Sequence, residues 1–381
     1  MTEVAVGCAC MTYDVAVIGG GMVGTAIGYG CASRGAHTAL LDQGDLSLRA
    51  ARANAGLIYS QGKGEGLPAY AAWTRRSVRL WSDFAELMAS AAGRSIGFRR
   101  RGVISYCLGE DELQARRDLI HRMHNQHGGP ASPVHVLDRH EVEALLPDAQ
   151  LGPRVVGGSY SPEDCDVNAL PLLRALNAGF LQAGGVHLLE RTVTRIAPQG
   201  DGFTITSDRD TVQARKIVVA CGLGIPHLAP MVGLHAPVRP VRGQMIVTER
   251  LAPTLPIPGS GVRQIEEGVV QIGTTTEEGE TNPATTVADL ARMAGRAAQV
   301  IPALAQARIV RSWAGIRPMT PDGCPIYQQS PMHPGAFVAV CHSGVTLCAV
   351  HAGPLAEAIL AGTLPNDVTD LHPDRFNAHA A

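Results

Sequence analysis

The chain has 381 residues, enough for two or three domains at roughly 150 residues each, or for one large two-part fold. Its 32 Lys and Arg stand against 34 Asp and Glu, a net charge of −2 that provides no basic stripe for nucleic acid. Apolar residues make up 45% and charged ones 17%, below the usual ~25%, so the composition calls for a large core and excludes disorder over most of the length.

The first ten residues carry Glu3 but no Lys or Arg, unlike a secretory signal, and Met11 offers an alternative start that would make residues 1–10 a dispensable leader. Nine cysteines, Cys8 and Cys10 among them, include no CxxC pair, so neither a metal site nor a disulfide framework is expected. That usage implies a reducing, cytoplasmic setting. No apolar run of ~18 residues is free of interruption, so no transmembrane segment is expected; the stretch 336–361 is broken by His342, His351, Pro354 and Glu357.

Residues 13–42 hold the first motif. Val15 to Ile18 is an apolar run of strand length, as in a strand buried on both faces. Gly19, Gly21 and Gly24 follow in the spacing GxGxxG, a helix is predicted from Met22 to Arg34, and a second strand runs from Thr38 to Leu41, ending in Asp42. The three glycines serve a tight turn, close backbone approach to a pyrophosphate, and helix–strand packing. The helix N-terminus offers unpaired N–H groups to phosphates, and Asp42 is placed to accept hydrogen bonds from an adenosine ribose. The strand, helix and acidic residue around it make this a Rossmann-type dinucleotide site. The motif alone leaves NAD and FAD both open.

After Asp42 comes LSLRAARANAGLIYSQGKGEG, rich in small residues and without periodicity, as if backbone were laid against a flat ligand. A long helix is predicted over 68–92 from Leu67, Tyr70, Trp73, Val78, Leu80, Trp81, Phe84 and Leu87; the spacing makes the tryptophans core or interface residues. A strand at 102–107, a charged helix near 110–125 and a helix over 167–184 follow. Val186–Leu189 reads as a strand. Short strands are expected at Val193–Ile196, Phe203–Ser207 and Thr211–Ala214, then a separate buried strand over 217–220 ending at Cys221-Gly222. Another sheet begins at Pro237–Thr248, with a hairpin of Val262–Gln264 and Val269–Ile272. A helix over 286–300 has Thr286 and Asp289 in capping spacing, and the chain closes on a strand at Ala336–Cys341, a turn HSGVT and a helix to about 361.

The expected fold class is therefore mixed α/β, with a Rossmann-type domain built from discontinuous segments and an inserted antiparallel-sheet substrate domain. The segments are 1–83, 151–226 and 312–381 for the nucleotide and 84–150 with 227–311 for the substrate.

Several stretches together resemble the D-amino-acid-oxidase-like superfamily of FAD oxidoreductases, which includes glycine and sarcosine oxidases. They are VIGGGMVG, ARANAGLIYSQGKG, GGSYSPEDCDVN at 157–168, VVACG at 218–222, RPVRGQ at 239–244, GIRPMTPDG at 315–323 and HSGVTL at 342–347. The QGKG loop and the HSGVTL end are similar to the FAD-carrying beta subunits of D-hydroxyproline and opine dehydrogenases. Asp42 departs from the family, where Glu is commoner, and Ala55 stands where a larger apolar residue is expected.

The resemblance implies FAD as cofactor, held by Gly19, Gly21, Gly24 and Asp42, with Asn54, Ala55, Gly56 and Leu57 along the flavin and Val193 at the adenine. Cys221, Gly222, Gly315, Ser343, Gly344, Val345 and Thr346 complete the expected contacts. A helix N-terminus at HSGVTL would favour the negative charge that reduction places on the flavin N1–C2=O edge. It also implies that Arg317 clamps a substrate carboxylate by two parallel bonds, the alternative being a structural ion pair with an acid such as Asp322. For His342, Lys63, Gln264 and Gln61 a substrate-facing role stands beside simple packing or a solvated loop charge. Arg239 and Arg242 read as structural.

The implied reaction is oxidation of a C–N bond in a secondary amino acid, cis-4-hydroxy-D-proline or an opine, by hydride transfer to flavin N5, with no obligatory side-chain base. An oxygen-using amino-acid oxidase, an FAD-bearing scaffold subunit and an NAD-dependent dehydrogenase are the alternatives. The chain has no ferredoxin-type cysteine run, so any iron–sulfur cluster, FMN or second nucleotide would come from partner subunits.

Overall fold

A computed structural model describes residues 12–44, 49–129 and 131–379. The expectations for residues 1–10, Cys8, Cys10 and Met11 lie outside these residues.

The first strand, Thr12–Ile18, sits inside an eight-stranded sheet between Thr211–Val219 and Thr38–Leu41, both parallel to it. Ala336–Val340 and Val186–Leu188 extend the parallel set on either side, and Ile326–Gln329 closes one edge antiparallel. Side chains alternate across a strand, so Val15 and Val17 enter one apolar cluster with Ile27, Phe180 and Val350. Ala16 and Ile18 enter another, with Ile205, Leu228 and Val338. Both faces are covered, which is why the strand reads as an unbroken apolar run rather than an alternating one.

Two antiparallel sheets form the second part. Arg239–Arg250 pairs with Ile309–Met319 along one side and with Val269–Gly273 and Glu277–Glu278 along the other, and Val262–Gln264 adds the outer strand. The smaller sheet orders Val103–Leu108, Val155–Ser161 and His135–Asp138, and a bridge from Ile104 to Gly259 ties it to the larger one. Residues 155–161 and 309–319 thus pair with the antiparallel sheets, whereas the division expected from sequence places 151–226 and 312–381 with the nucleotide.

The long helix runs Pro68–Ala92, with Pro68 in its first turn and Gly93 ending it at φ 63°. Its buried stripe is Tyr70, Trp73, Val78, Trp81, Phe84 and Met88; Leu80 and Leu87, counted in the apolar pattern, face outward. Trp81 donates to the Thr346 carbonyl at 2.9 Å and Trp73 to Tyr327 at 3.1 Å, so both tryptophans are core residues, the first fastening the C-terminal turn and the second the strand Ile326–Gln329.

Other differences have local causes. Thr211–Val219 is one strand, not two, because the polar residues that read as a break, Gln213, Arg215 and Lys216, lie on its less buried half. The first helix is shorter than expected, Met22–Ala32. The strands Ile309–Met319 and Ile326–Gln329 are absent from the sequence reading, the first because Arg311, Arg317 and Pro318 disguise its pattern. The last helix is interrupted by a wider turn at His351–Leu355 around Pro354. No helix among the described residues is long and apolar enough to cross a membrane.

Candidate functional site

The C-terminal ends of the parallel strands open into a cavity of about 1300 Å³ that continues to the antiparallel sheet. That exceeds the roughly 300–1,000 Å³ usual for a drug-sized ligand, which leaves room for an extended dinucleotide beside a small substrate.

At one end stands the glycine turn. Gly19 adopts φ 114°, and a side chain there would meet the Ala220 carbonyl at 2.6 Å, so the turn from strand to helix requires glycine. Gly24 does not reach the cavity: it lies against the Gly19 backbone and lets the helix approach the strand. Gly21 caps the helix Met22–Ala32 without a side-chain hydrogen bond, and the first turn holds no acidic residue. Its outward side meets only Ala51, at 3.8 Å. An uncapped helix start facing an open, lined space is a built cradle for phosphate.

Asp42 follows the second strand. Its carboxylate accepts from Gly20 N at 2.7 Å and from Gly44 N at 2.8 Å, which fixes the side chain on the cavity wall. Val193, Cys221 and Gly222 line the same end.

The middle of the cavity lies between the loop after Arg49 and the C-terminal turn. Asn54, Ala55 and Leu57 line it, as do Ser343, Gly344, Val345 and Thr346. Gly56 faces away, against the Val167 carbonyl and Arg263. Gly344 approaches Met22 and Val23, so the C-terminal turn meets the start of the first helix. Thr346 Oγ1 accepts from Tyr59 N at 3.2 Å, and Ser343 shares a 2.7 Å hydrogen bond with Tyr70. From behind, Arg263 donates to the Ala55 carbonyl at 2.6 Å, to Asn168 at 2.6 Å and to Asp166 at 2.9 Å. Against the upward push of burial, Arg263, Arg101 and Arg99 hold the Asp166 carboxyl below its ordinary range. Sequence reasoning gives Arg263 no role; the paired acids of PEDCDVN are the available signal, and nothing in the sequence names their partner.

The far end is cationic. Arg317 and Gly315 lie on the cavity wall, on the strand Ile309–Met319 opposite Arg239–Arg250. The guanidinium donates to the Thr275 carbonyl at 3.1 Å and to the Arg242 carbonyl at 3.4 Å, and burial pushes its affinity for a proton down. Asp322 is paired instead with Arg375 at 2.8 Å. The acid that acts on Arg317, Glu277, is hydrogen-bonded to Arg242, Thr275 and Gln244. Arg239 pairs with Glu278, so both strand arginines are structural.

Lys63 and His342 complete this end. Lys63 Nζ lies 2.8 Å from His342 Nε2. Burial, then Lys63 and Arg317, hold the imidazole well below its ordinary value, so it is neutral at physiological pH. Burial lowers Lys63 to about 8.

Two expected substrate-facing residues also do not reach the cavity. Gln264 Oε1 accepts from Thr254 N and Leu255 N at 2.7 and 3.1 Å, while its amide donates to the Ala252 and Gly268 carbonyls, so it closes the loop after Arg250. Gln61 accepts from Arg116 and Ser159 and donates to the Val103 carbonyl. The Gln264 amide is consumed in closing its own loop, and that of Gln61 in tying its loop to Arg116 and to the strands Val103–Leu108 and Val155–Ser161, which residue type alone could not reveal.

The site thus joins an anion cradle at a helix start, a carboxylate at the end of the second strand, a long slot and a guanidinium that pairs with no carboxylate among the described residues. These features fit a dinucleotide along the slot and a carboxylate at its far end.

The family model described as "FAD dependent oxidoreductase" (DAO) matches residues 14–358. The chain is 39% identical over 369 residues to one of the subunits of opine oxidase from Agrobacterium tumefaciens (strain Ach5), covering 97% of this chain and 99% of that protein. It is 29% identical to glycine oxidase of Geobacillus kaustophilus (strain HTA426), over 96% of this chain and 97% of the other. The crystal structure of glycine oxidase from Geobacillus kaustophilus shares the fold with a TM-score of 0.86 and 26% identity, covering 95% of this chain and 98% of that one.

Proposed function

Because the chain belongs to the DAO family of FAD-dependent oxidoreductases, we propose that it oxidises the C–N bond of a secondary amino acid, an opine or cis-4-hydroxy-D-proline. The observation that carries this reading is Arg317, a desolvated guanidinium on the cavity wall without a carboxylate partner of its own among the described residues.

FAD, when bound, supplies the two-electron acceptor. The helix start at Gly21 would take its pyrophosphate, Asp42 its ribose and Val193 its adenine. Asn54, Ala55 and Leu57 would lie along the ring system, with the backbone N–H groups of the turn Ser343–Thr346 at its electron-accepting edge.

Arg317 binds the substrate carboxylate through two charge-assisted hydrogen bonds and so fixes the direction of the Cα–H bond. Its positive charge and that of Lys63 disfavour a third cation nearby. The substrate nitrogen is therefore driven toward its neutral form, whose lone pair assists loss of the Cα hydrogen with its electron pair. The resulting iminium is released to hydrolyse. His342, neutral and bonded to Lys63, orients that ammonium rather than taking a proton.

The opine oxidase relative, itself one subunit of a larger enzyme, supports a heteromeric assembly, in which partner subunits with FMN, an iron–sulfur cluster or a second nucleotide would receive the electrons. The likeness to glycine oxidase supports direct reoxidation by oxygen as a second reading. The free cysteines among the described residues are consistent with a cytoplasmic location. Replacing Arg317 with Met tests the reading: turnover should be lost with FAD retained, whereas unchanged turnover would assign the chain a scaffold role.

A further inference from the structure

The cationic end of the cavity holds more positive charge than one carboxylate needs. Lys63 donates to a neutral base, His342, at 2.8 Å, and a neutral acceptor leaves the ammonium charge uncompensated. The titratable groups that act on Lys63 are Arg317 and the Cys341 and Cys324 thiols, which burial keeps protonated; no Asp or Glu is among those described. Isolated charge in a desolvated place is costly unless something pairs with it.

The loop carrying Lys63 is also held more firmly than a solvated surface charge requires. Asp164 accepts from Ser60 N at 3.0 Å and Ser60 Oγ at 2.5 Å. Gln61 is gripped by Arg116 at 2.9 Å and Ser159 at 2.6 Å. Lys63 and Arg317 therefore form a fixed pair of cations on one cavity, the first from the loop and the second from the antiparallel sheet. Preorganised charges of one sign suit a ligand with matching charges of the other.

We propose that Lys63, oriented by His342, forms a second carboxylate subsite, so that the chain prefers amines carrying two carboxylates, one on each side of the reacting nitrogen, over those carrying one. This rests on the amine-oxidising reading above. Arg317 holds the carboxylate on the carbon being oxidised, and Lys63 holds the one on the other arm. The residue that sets specificity is then Lys63, and a cyclic monocarboxylate such as hydroxyproline leaves its charge unpaired.

The test uses two thioethers without an oxidisable C–N bond, thiodiacetate and methylthioacetate, which differ by one carboxylate. Their binding to the FAD-loaded full-length chain is measured by calorimetry and by perturbation of the flavin spectrum. The native chain should bind thiodiacetate roughly tenfold more tightly or better, as one added charge-assisted bond implies. Lys63→Met should bring the two ligands to within about twofold by weakening thiodiacetate more than methylthioacetate, and Lys63→Arg should keep part of the preference. Equal affinities in the native chain, or a preference that survives Lys63→Met with FAD still bound, would overturn the second subsite while leaving the Arg317 anchor standing. Failure of both ligands to bind would overturn the anchor and the reading beneath it.

Discussion

The Arg317 guanidinium lies directly against the backbone of Gly243, so that a side chain at position 243 would occupy the space of the guanidinium itself. Strand pairing sets this up: Gly243 stands opposite Gly315, and Val241 opposite Arg317. The motif RPVRGQ thus contains a glycine that seats Arg317, the proposed carboxylate anchor, two positions along the partner strand. Gly243→Ala should displace Arg317 and weaken carboxylate binding by about tenfold or more, the scale of a charge-assisted hydrogen bond, without releasing FAD. Inhibition by small carboxylates measures it. Unchanged affinity would mean that the arginine has other room.

Asp42→Ala should lower FAD affinity by roughly 10- to 100-fold, since the carboxylate is the proposed ribose acceptor and also holds Gly20 N and Gly44 N. Flavin fluorescence released on gel filtration reports the loss. Full retention of FAD would remove Asp42 from the cofactor site.

The Lys63 charge should appear in the pH dependence of carboxylate binding. Burial lowers its ammonium to about 8, so affinity for a dicarboxylate should fall as pH rises from 7 to 9. The groups that face it do not titrate in that window: His342 stays neutral, Arg317 stays charged, and burial pushes the Cys324 and Cys341 thiols up to about 11 and about 12. Lys63→Met should flatten the profile. A native profile already flat from pH 7 to 9 would contradict the assignment.

Asp164 gives a stability signature. Burial pushes its carboxyl up to about 6, against the ordinary ~3.9. Between those values the folded chain binds more protons than the unfolded one, so this group's contribution to stability falls as pH rises through the window. Asp164→Asn removes the effect. The unfolding free energy of the variant minus that of the native chain should therefore increase by up to roughly 3 kcal/mol between pH 4 and 7. Urea unfolding of the FAD-loaded protein measures the difference, and a pH-independent offset would contradict it.

The parts of the molecule governed by local rules are legible in the sequence. Gly19, Gly21 and Asp42 follow from one strand–turn–helix unit, and the helix Pro68–Ala92 from its spacing and its flanking Pro68 and Gly93. Arg317, Lys63 and His342 stand out as candidates, but only the fold brings Lys63 to His342, across 279 residues. Gln264 and Gln61 mislead because a polar side chain facing a ligand and one holding a loop in place look alike in sequence. The strand Ile309–Met319 is hidden because the exposed Arg311 and the cavity-lining Gly315, Arg317 and Pro318 interrupt the apolar alternation that marks a strand. Arg263 and Asp166 are hidden for a related reason: a buried ion pair between distant segments has no sequence period.

FAD binding and the proposed oxidation of an amino acid with a secondary nitrogen are read together in the anaerobic absorption spectrum of the purified full-length chain, before and after addition of an opine and, separately, cis-4-hydroxy-D-proline. A visible flavin band should bleach with at least one of them in the native chain and with neither in Arg317→Met. A flavin band that neither substrate bleaches, but that NAD(P)H does, would contradict the proposed oxidation.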